Sequence, residues 1–267
     1  MEASDECCFT GSLHEGQPNG TIKNINDVPT YCTMPLGGVG SQHDTNAIIY
    51  LPDVFGMQLV NNQLEIFNKT LKADRLTDSG YNVYMPDYLN GDPRPGSVDQ
   101  APPTSFNVNA WKAAHTVTQT RPPLDKVIAG LKNEGYTVFA ATGYCFGARY
   151  VVDLALENAI QVAVISHPSQ LLIPFDIDAL VAASNVPLLI NSCEFDPHFP
   201  QEWQSIADEK LGAGKYAPGY KRTYWEGCSH GFLTKGDLSD SKVKSGQDGA
   251  VEATIAWIRE HLQNSQA

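Results

Sequence analysis

The stretch "FAATGYCFGARYVVDLALE" (139–157) sets one cysteine between two glycines, with a strand-like run before it and a helix-like run behind. A core strand needs no glycine on either side of a buried cysteine. A chain that leaves a strand and enters a helix within one residue does need them. The corner residue takes a strained backbone conformation, and side chains at the flanking positions would collide with strand and helix. "GYCFG" (143–147) therefore fits G-x-C-x-G, the cysteine form of the G-x-S-x-G turn that presents a nucleophile at the top of a sheet. Cys145 then lies at a helix N-terminus, where unpaired N–H groups and the helix dipole favour a thiolate. The alternative is a packed, inert cysteine whose glycines permit close approach. The strand before and the helix after weigh for the turn.

The same form, an apolar run ending in a polar loop, recurs on both sides of this stretch. It is found in "AIIYLPDVFG" (47–56), "YNVYMPDYL" (81–89), "TVFAATGYC" (137–145), "VAVISHP" (162–168) and "VPLLINSCEFDP" (186–197). Near-continuous apolar strands of this kind suit a parallel sheet covered on both faces. Helical periods lie between them. Leu64, Phe67 and Leu71 form one, with Gly80 to end it; Leu124, Val127, Ile128 and Leu131 form another, with Gly135 just past its end. A last helix is expected to begin near Asp248, with Val251, Ile255, Ile258 and Leu262 on one face. The alternation predicts an α/β fold, with right-handed crossovers and a mostly parallel, doubly wound sheet flanked by helices. Residues 1–267 read as one domain. Residues 1–46 form an N-terminal arm with a short antiparallel edge hairpin over 20–35. Residues 90–123, "GDPRPGSVDQAPPTSF" within them, have weak periodicity until a short helix around Trp111 and read as a lid.

Composition excludes more than it selects. The chain carries 42% hydrophobic and 18% charged residues, ordinary for a globular protein, and a formal charge of -12. That balance, without clustered Lys and Arg, argues against nucleic acid as a partner. No apolar run is long enough to span a membrane, and the acidic, polar start does not resemble a signal peptide. A cytoplasmic location with reduced thiols is expected for the six cysteines, which follow no disulfide framework. A zinc reading of Cys7, Cys8 and His14 lacks a second ligand pair, so no metal is expected.

A nucleophile at such a turn needs a base and a carboxylate to orient it, in the chain order nucleophile, acid, histidine. Asp196 falls at the polar end of "VPLLINSCEFDP", and His230 in "YWEGCSHGF" follows a further strand. The C-terminal ends of parallel strands share one edge, so Cys145, Asp196 and His230 can converge there. His230 would take the thiol proton and later return one to the leaving group, while Asp196 would hold the imidazole tautomer. Glu194 and His198 flank Asp196 as competitors for the acid and the base. The oxyanion donors expected are the backbone N–H of Phe146, which follows the nucleophile, and of Val54 in the loop after an early strand.

Taken together, "GYCFGA", "YLPDVFG", "YMPDYLNGD" and "CSHGF" resemble the dienelactone hydrolase family of the α/β-hydrolase fold, and "CCFTGSLHEGQPNGTI" resembles its fungal branch. The resemblance spans roughly residues 7–263. It implies Cys145, His230 and Asp196 as a Cys-His-Asp triad in a cytosolic enzyme without metal or organic cofactor. In bacterial members a carboxylate before the oxyanion loop holds the resting cysteine. The matching residue is Asp53, one methylene shorter, and the alternative is that Asp53 orders the loop by accepting backbone N–H bonds. Bacterial members also bind a substrate carboxylate with arginines, one of them four residues after the histidine. Thr234 stands there in this chain, with Lys235 beside it as the nearest cation, so bidentate recognition is not preserved.

Tyr144, His167 and Lys235 are further candidates for substrate contact, the alternatives being that His167 only turns the chain and Lys235 is solvated; Trp111 and Phe106 form either a roof or an aromatic core contact. Cys193 and Cys228 are expected to be buried, inert thiols. The function expected is hydrolysis of an activated ester, lactone or thioester through a thioacyl intermediate, the partner being a small-molecule acyl substrate; a homodimer stays open. Two rivals stand beside it. One is a lyase, cyclase or isomerase acting on a polyketide-like compound with the same Cys-His pair. The other is a non-catalytic ligand-binding protein.

Overall fold

In the computed structural model, which describes residues 7–34, 45–65 and 81–264, the apolar runs become strands of a single sheet. These are β1 (Thr21–Ile25), β2 (Val28–Thr33), β3 (Asn46–Leu51), β4 (Asn82–Pro86), β5 (Val138–Tyr144), β6 (Val162–Ser166), β7 (Leu188–Phe195) and β8 (Tyr220–Ser229). Their order is β1-β2-β4-β3-β5-β6-β7-β8. β1 and β2 form the expected antiparallel hairpin at the edge, and β2 joins β4 antiparallel. Every later pairing is parallel. The order reverses about β3, whose neighbours are β4 on one side and β5 on the other. A crevice opens beyond the carboxyl ends of strands at such a reversal, and the loops after β3 and β5 face it.

Period-2 alternation decides which side chain goes to which layer. Ala47, Ile49 and Leu51 of β3 enter one apolar cluster with Phe139 and Ala141 of β5. Ile48 and Tyr50 enter the other with Ala140 and Tyr144. Helices cover both faces, as near-continuous apolar strands require. The helices are α1 (Val60–Glu65), α2 (Val108–Ala114), α3 (Val117–Asn133), α4 (Gly147–Leu156), α5 (Phe175–Ala183), α6 (Gln201–Leu211), α7 (Phe232–Lys235) and α8 (Ser241–Asn264). α3 to α6 contribute to the first cluster, α7 and α8 to the second.

The helical expectations divide. α3 buries Leu124, Val127, Ile128 and Leu131, and Gly135 follows its end at φ +98°. α2 carries Trp111. α3 starts at Val117, so residues 117–123 belong to a helix that continues through Pro122 and Pro123. Leu64 lies in α1, while Phe67, Leu71 and Gly80 lie outside the described residues. α8 begins at Ser241 rather than near Asp248. Gly246 and Gly249 lie inside it because a Cβ at either would strike Cys228 or the Trp225 ring on β8. Among the described residues no helix is long and apolar enough to cross a membrane.

Candidate active site

The turn after β5 has the strain its glycines imply. Cys145 sits at φ +49°, a left-handed conformation that is costly for a residue with a side chain. A Cβ on Gly143 would come within 2.6 Å of the Gly147 carbonyl oxygen, and one on Gly147 would strike the carbonyl of Leu51. The two glycines thus let α4 close on β5 and let the turn close on the end of β3. The Cys145 N–H donates to the Ser166 carbonyl and the Cys145 carbonyl accepts from Ser169 N–H, which ties the corner to the loop after β6.

Asp196 and His230 come from the ends of β7 and β8. His230 N–H donates to the Phe195 carbonyl, and His230 Nδ1 donates to Asp196 Oδ1 at 2.9 Å. The same oxygen accepts the backbone N–H groups of His198 and Phe199. Burial opposes charge on both members of the pair. Each partner's opposite charge outweighs it, holding Asp196 below the usual carboxylate range and raising His230 well above an ordinary histidine. A ring nitrogen of His230 and the Cys145 sulfur lie within 4.8 Å. Cys145 is held well below an ordinary thiol, first by a hydrogen bond from Cys8, against burial, and then by the charge of His230. Glu194 accepts the Gly227 N–H at 2.7 Å, between β7 and β8, and takes no part in this group.

The sequence pairs Cys8 with Cys7 and His14 and gives no sign that it meets Cys145. Residues 7–9 form a helical turn that enters the crevice. Cys8 Sγ lies 3.6 Å from Cys145 Sγ, 3.5 Å from His230 Nε2 and 3.1 Å from His198 Nε2. Phe9 anchors the turn, packing edge-on against Phe106 and Trp111. Lys235 Nζ donates to the Cys7 carbonyl, and Gly11 and Ser12 N–H groups donate to Val98 and Lys235 carbonyls. Cys145, His230 and Asp196 are consequently 1%, 5% and 5% exposed. The plug over the sulfur is the arm, and Val98, Phe106 and Trp111 lie against it. Cys8 is pushed well above an ordinary thiol by its bonds to Cys145 and Cys7, and Cys7 drops to about 5, chiefly through the Cys8 S–H and despite burial. One S–H serves one thiolate at a time, and Cys145 has the imidazolium beside it. The signal for this cluster was the adjacent pair Cys7-Cys8 in a chain with six cysteines, but His14, paired with it in the sequence, instead donates to the Gly236 carbonyl.

Asp53 is fully buried and spends its oxygens on the loop. Oδ1 accepts Phe55 N–H and Asn62 Nδ2, and Oδ2 accepts Thr234 Oγ1 at 2.8 Å. Burial and then the Cys145 charge raise its pKa. Its hydrogen bonds correspond to the loop-ordering alternative, and none reaches Cys145. Among the described residues the backbone N–H groups of Val54 and Phe146 donate to no protein acceptor. His167 lies at φ +37°, its ring 5.2 Å from that of His230, and among the described residues neither of its buried ring nitrogens has a partner. Burial lowers its pKa to about 3, so it is neutral. Tyr144 stacks on Tyr50 at 4.6 Å within the second cluster, away from the cysteine. Cys193 and Cys228 are fully buried and raised by burial, Cys228 to about 11. Among the described residues two groups have metal-binding donor atoms close together: Cys7, Cys8 and His198, and Cys8, Cys145 and His230.

The sheet order, the strained turn after β5 and the Asp-His pair after β7 and β8 define an α/β-hydrolase. The chain belongs to the dienelactone hydrolase family, whose sequence profile matches residues 36–262. It is a hydrolase enzyme. "Hydrolase pyvD" of Aspergillus violaceofuscus is 31% identical over 259 residues, 97% of each chain. "Hydrolase tropI" of Talaromyces stipitatus is 26% identical over 269 residues, again 97% of each. Among solved structures, dienelactone hydrolase from Anabaena variabilis superposes with a TM-score of 0.52 at 10% identity, over 93% of this chain and 99% of that one. Thermogutta terrifontis esterase 2 does so at 0.58 and 11%, over 92% and 96%. These two likenesses are of fold.

Proposed function

We propose that the chain hydrolyses an activated ester, lactone or thioester by covalent catalysis at Cys145. The observation that carries this reading is the 2.9 Å Asp196–His230 pair beside a cysteine at φ +49°. The Cys145 thiolate attacks the acyl carbon, and the Phe146 and Val54 N–H groups stabilise the oxyanion. The C–O or C–S bond to the leaving group breaks, and His230 gives that group its Nε2 proton. His230 then takes a proton from water, the hydroxide adds to the thioester carbon, and the C–S bond breaks to return the thiolate. A thiolate is itself a good leaving group, so enol, phenol or thiol leaving groups suit it better than amines. His167, neutral and unpartnered, offers a donor or acceptor to the substrate once Cys8 withdraws. Lys235 offers a point charge when it releases the Cys7 carbonyl.

The test is a panel of lactones, aryl esters and acyl thioesters assayed with wild type and Cys145→Ala. The variant is expected to lose at least about 10³ in kcat/KM on every accepted compound; equal turnover overturns the assignment.

A second reading draws on how thoroughly the cysteine is shut from water, at 1% exposure. In a dry pocket the same Cys-His pair would cyclise, isomerise or cleave a substrate without net hydrolysis. Product formed in oxygen-18 water separates the two, since only hydrolysis places the label in the acid.

A further inference from the structure

The geometry points to a soft-metal site built by the arm and the reactive cysteine together: Cys8, Cys145 and His230 as three ligands of one Zn²⁺-like ion, which closes the site when bound. This goes beyond the hydrolytic reading and stands without it. Zn²⁺ holds thiolates at about 2.3 Å and imidazole at about 2.0 Å, so the edges of its tetrahedron are about 3.5–3.8 Å. The Cys8–Cys145 and Cys8–His230 edges are 3.6 and 3.5 Å, and the third falls within 4.8 Å. Two of the three edges thus have tetrahedral length without an ion.

The surroundings favour the same chemistry. Asp196 occupies His230 Nδ1, which leaves Nε2 as the ligand nitrogen and makes it more basic. Phe9 and the Lys235–Cys7 bond hold the arm at the depth coordination needs. The neighbouring trio of Cys7, Cys8 and His198 is the weaker candidate. Cys7 is only half-buried, and the 3.1 Å Cys8–His198 distance is too short for a tetrahedral edge. Coordination needs two thiolates and a neutral imidazole, so each ion displaces about two protons at neutral pH: one from Cys8, one shared by the Cys145–His230 pair. The charges of the ion and two thiolates cancel, which suits a buried site. The bound ion would take the lone pair Cys145 needs for attack and fasten the arm across the entrance.

The test uses the full chain, reduced and stripped with a chelator, then titrated with Zn²⁺ against a chromogenic competitor and with Co²⁺ as a spectroscopic probe. One equivalent is expected, with thiolate-to-cobalt charge-transfer absorption and about two protons released. Cys8→Ser, Cys145→Ser and His230→Ala should each weaken binding at least about tenfold, with Cys32→Ser as the unchanged control. In wild type, Zn²⁺ should also protect Cys145 from iodoacetamide, read by peptide mass mapping, so a variant that misfolds leaves the question decidable. The proposal is overturned by no saturable binding at micromolar Zn²⁺, by an unprotected Cys145, or by full affinity in Cys145→Ser, which would seat the ion on Cys7, Cys8 and His198.

Discussion

Asp196 bears a charge that acts at one remove, and its effect is measurable on the sulfur. The carboxylate raises His230, and the imidazolium lowers Cys145. Replacing Asp196 by Asn removes the charge but keeps the shape, so His230 falls and Cys145 rises. The midpoint of the Cys145 alkylation-versus-pH curve is therefore expected to move upward by at least about one unit. Iodoacetamide rates between pH 5 and 9, mapped to the Cys145 peptide, check this; an unmoved midpoint would disconnect the pair from the thiol. Gly147 supports a second test at this scale. With its Cβ position filled by the Leu51 carbonyl, Gly147→Ala is expected to cost at least about 2 kcal/mol in urea unfolding. That Cys145, Asp196 and His230 converge was legible because Cys145 and Asp196 close apolar runs, His230 follows a further strand, and the turn prescribes their order. Cys8 was not. No periodicity leads to it, and the packing of Phe9 with the bonds of Cys7, Gly11 and Ser12 carries it to Cys145, 137 residues away in sequence.

Among the elements, strands were the most readable, since alternate residues of β3, β5, β6 and β7 bury on opposite faces and leave unbroken apolar runs. Helix starts were harder. The first turns of α8 hold Gly246 and Gly249, which local propensity counts against a helix and close packing on β8 requires. A local signal did exist: Asp240 Oδ1 accepts the Lys242 N–H, a cap at the true start. The arm is the element on which access depends. Phe9→Ala removes its anchor, and local opening then needs no global unfolding. A bulky maleimide is expected to reach Cys145 at least about tenfold faster in this variant at unchanged pH. Equal rates would mean that entry runs by another path.

Across the whole molecule the two apolar clusters share the strands of one sheet, so neither is expected to melt alone. Ile48→Ala strikes one cluster and Ile49→Ala the other. Each should lower stability by about 2–5 kcal/mol, with fluorescence and circular dichroism reporting one midpoint. Two separated transitions would contradict the shared core. The sheet order could be anticipated as doubly wound, yet the reversal about β3 could not, because strand adjacency depends on crossovers that leave no mark on single residues. That reversal brings the loops after β3 and β5 to one crevice, and the strained corner of Cys145 opens into it.

The most direct measurement is of the acyl group in transit. Enzyme mixed with excess activated aryl ester, quenched in acid within the steady state and digested, is expected to carry the acyl mass on the Cys145 peptide, with hydroxylamine removing it. Acylation found instead on Cys7 or Cys8, with Cys145 unmodified throughout turnover, would contradict the assignment of the nucleophile.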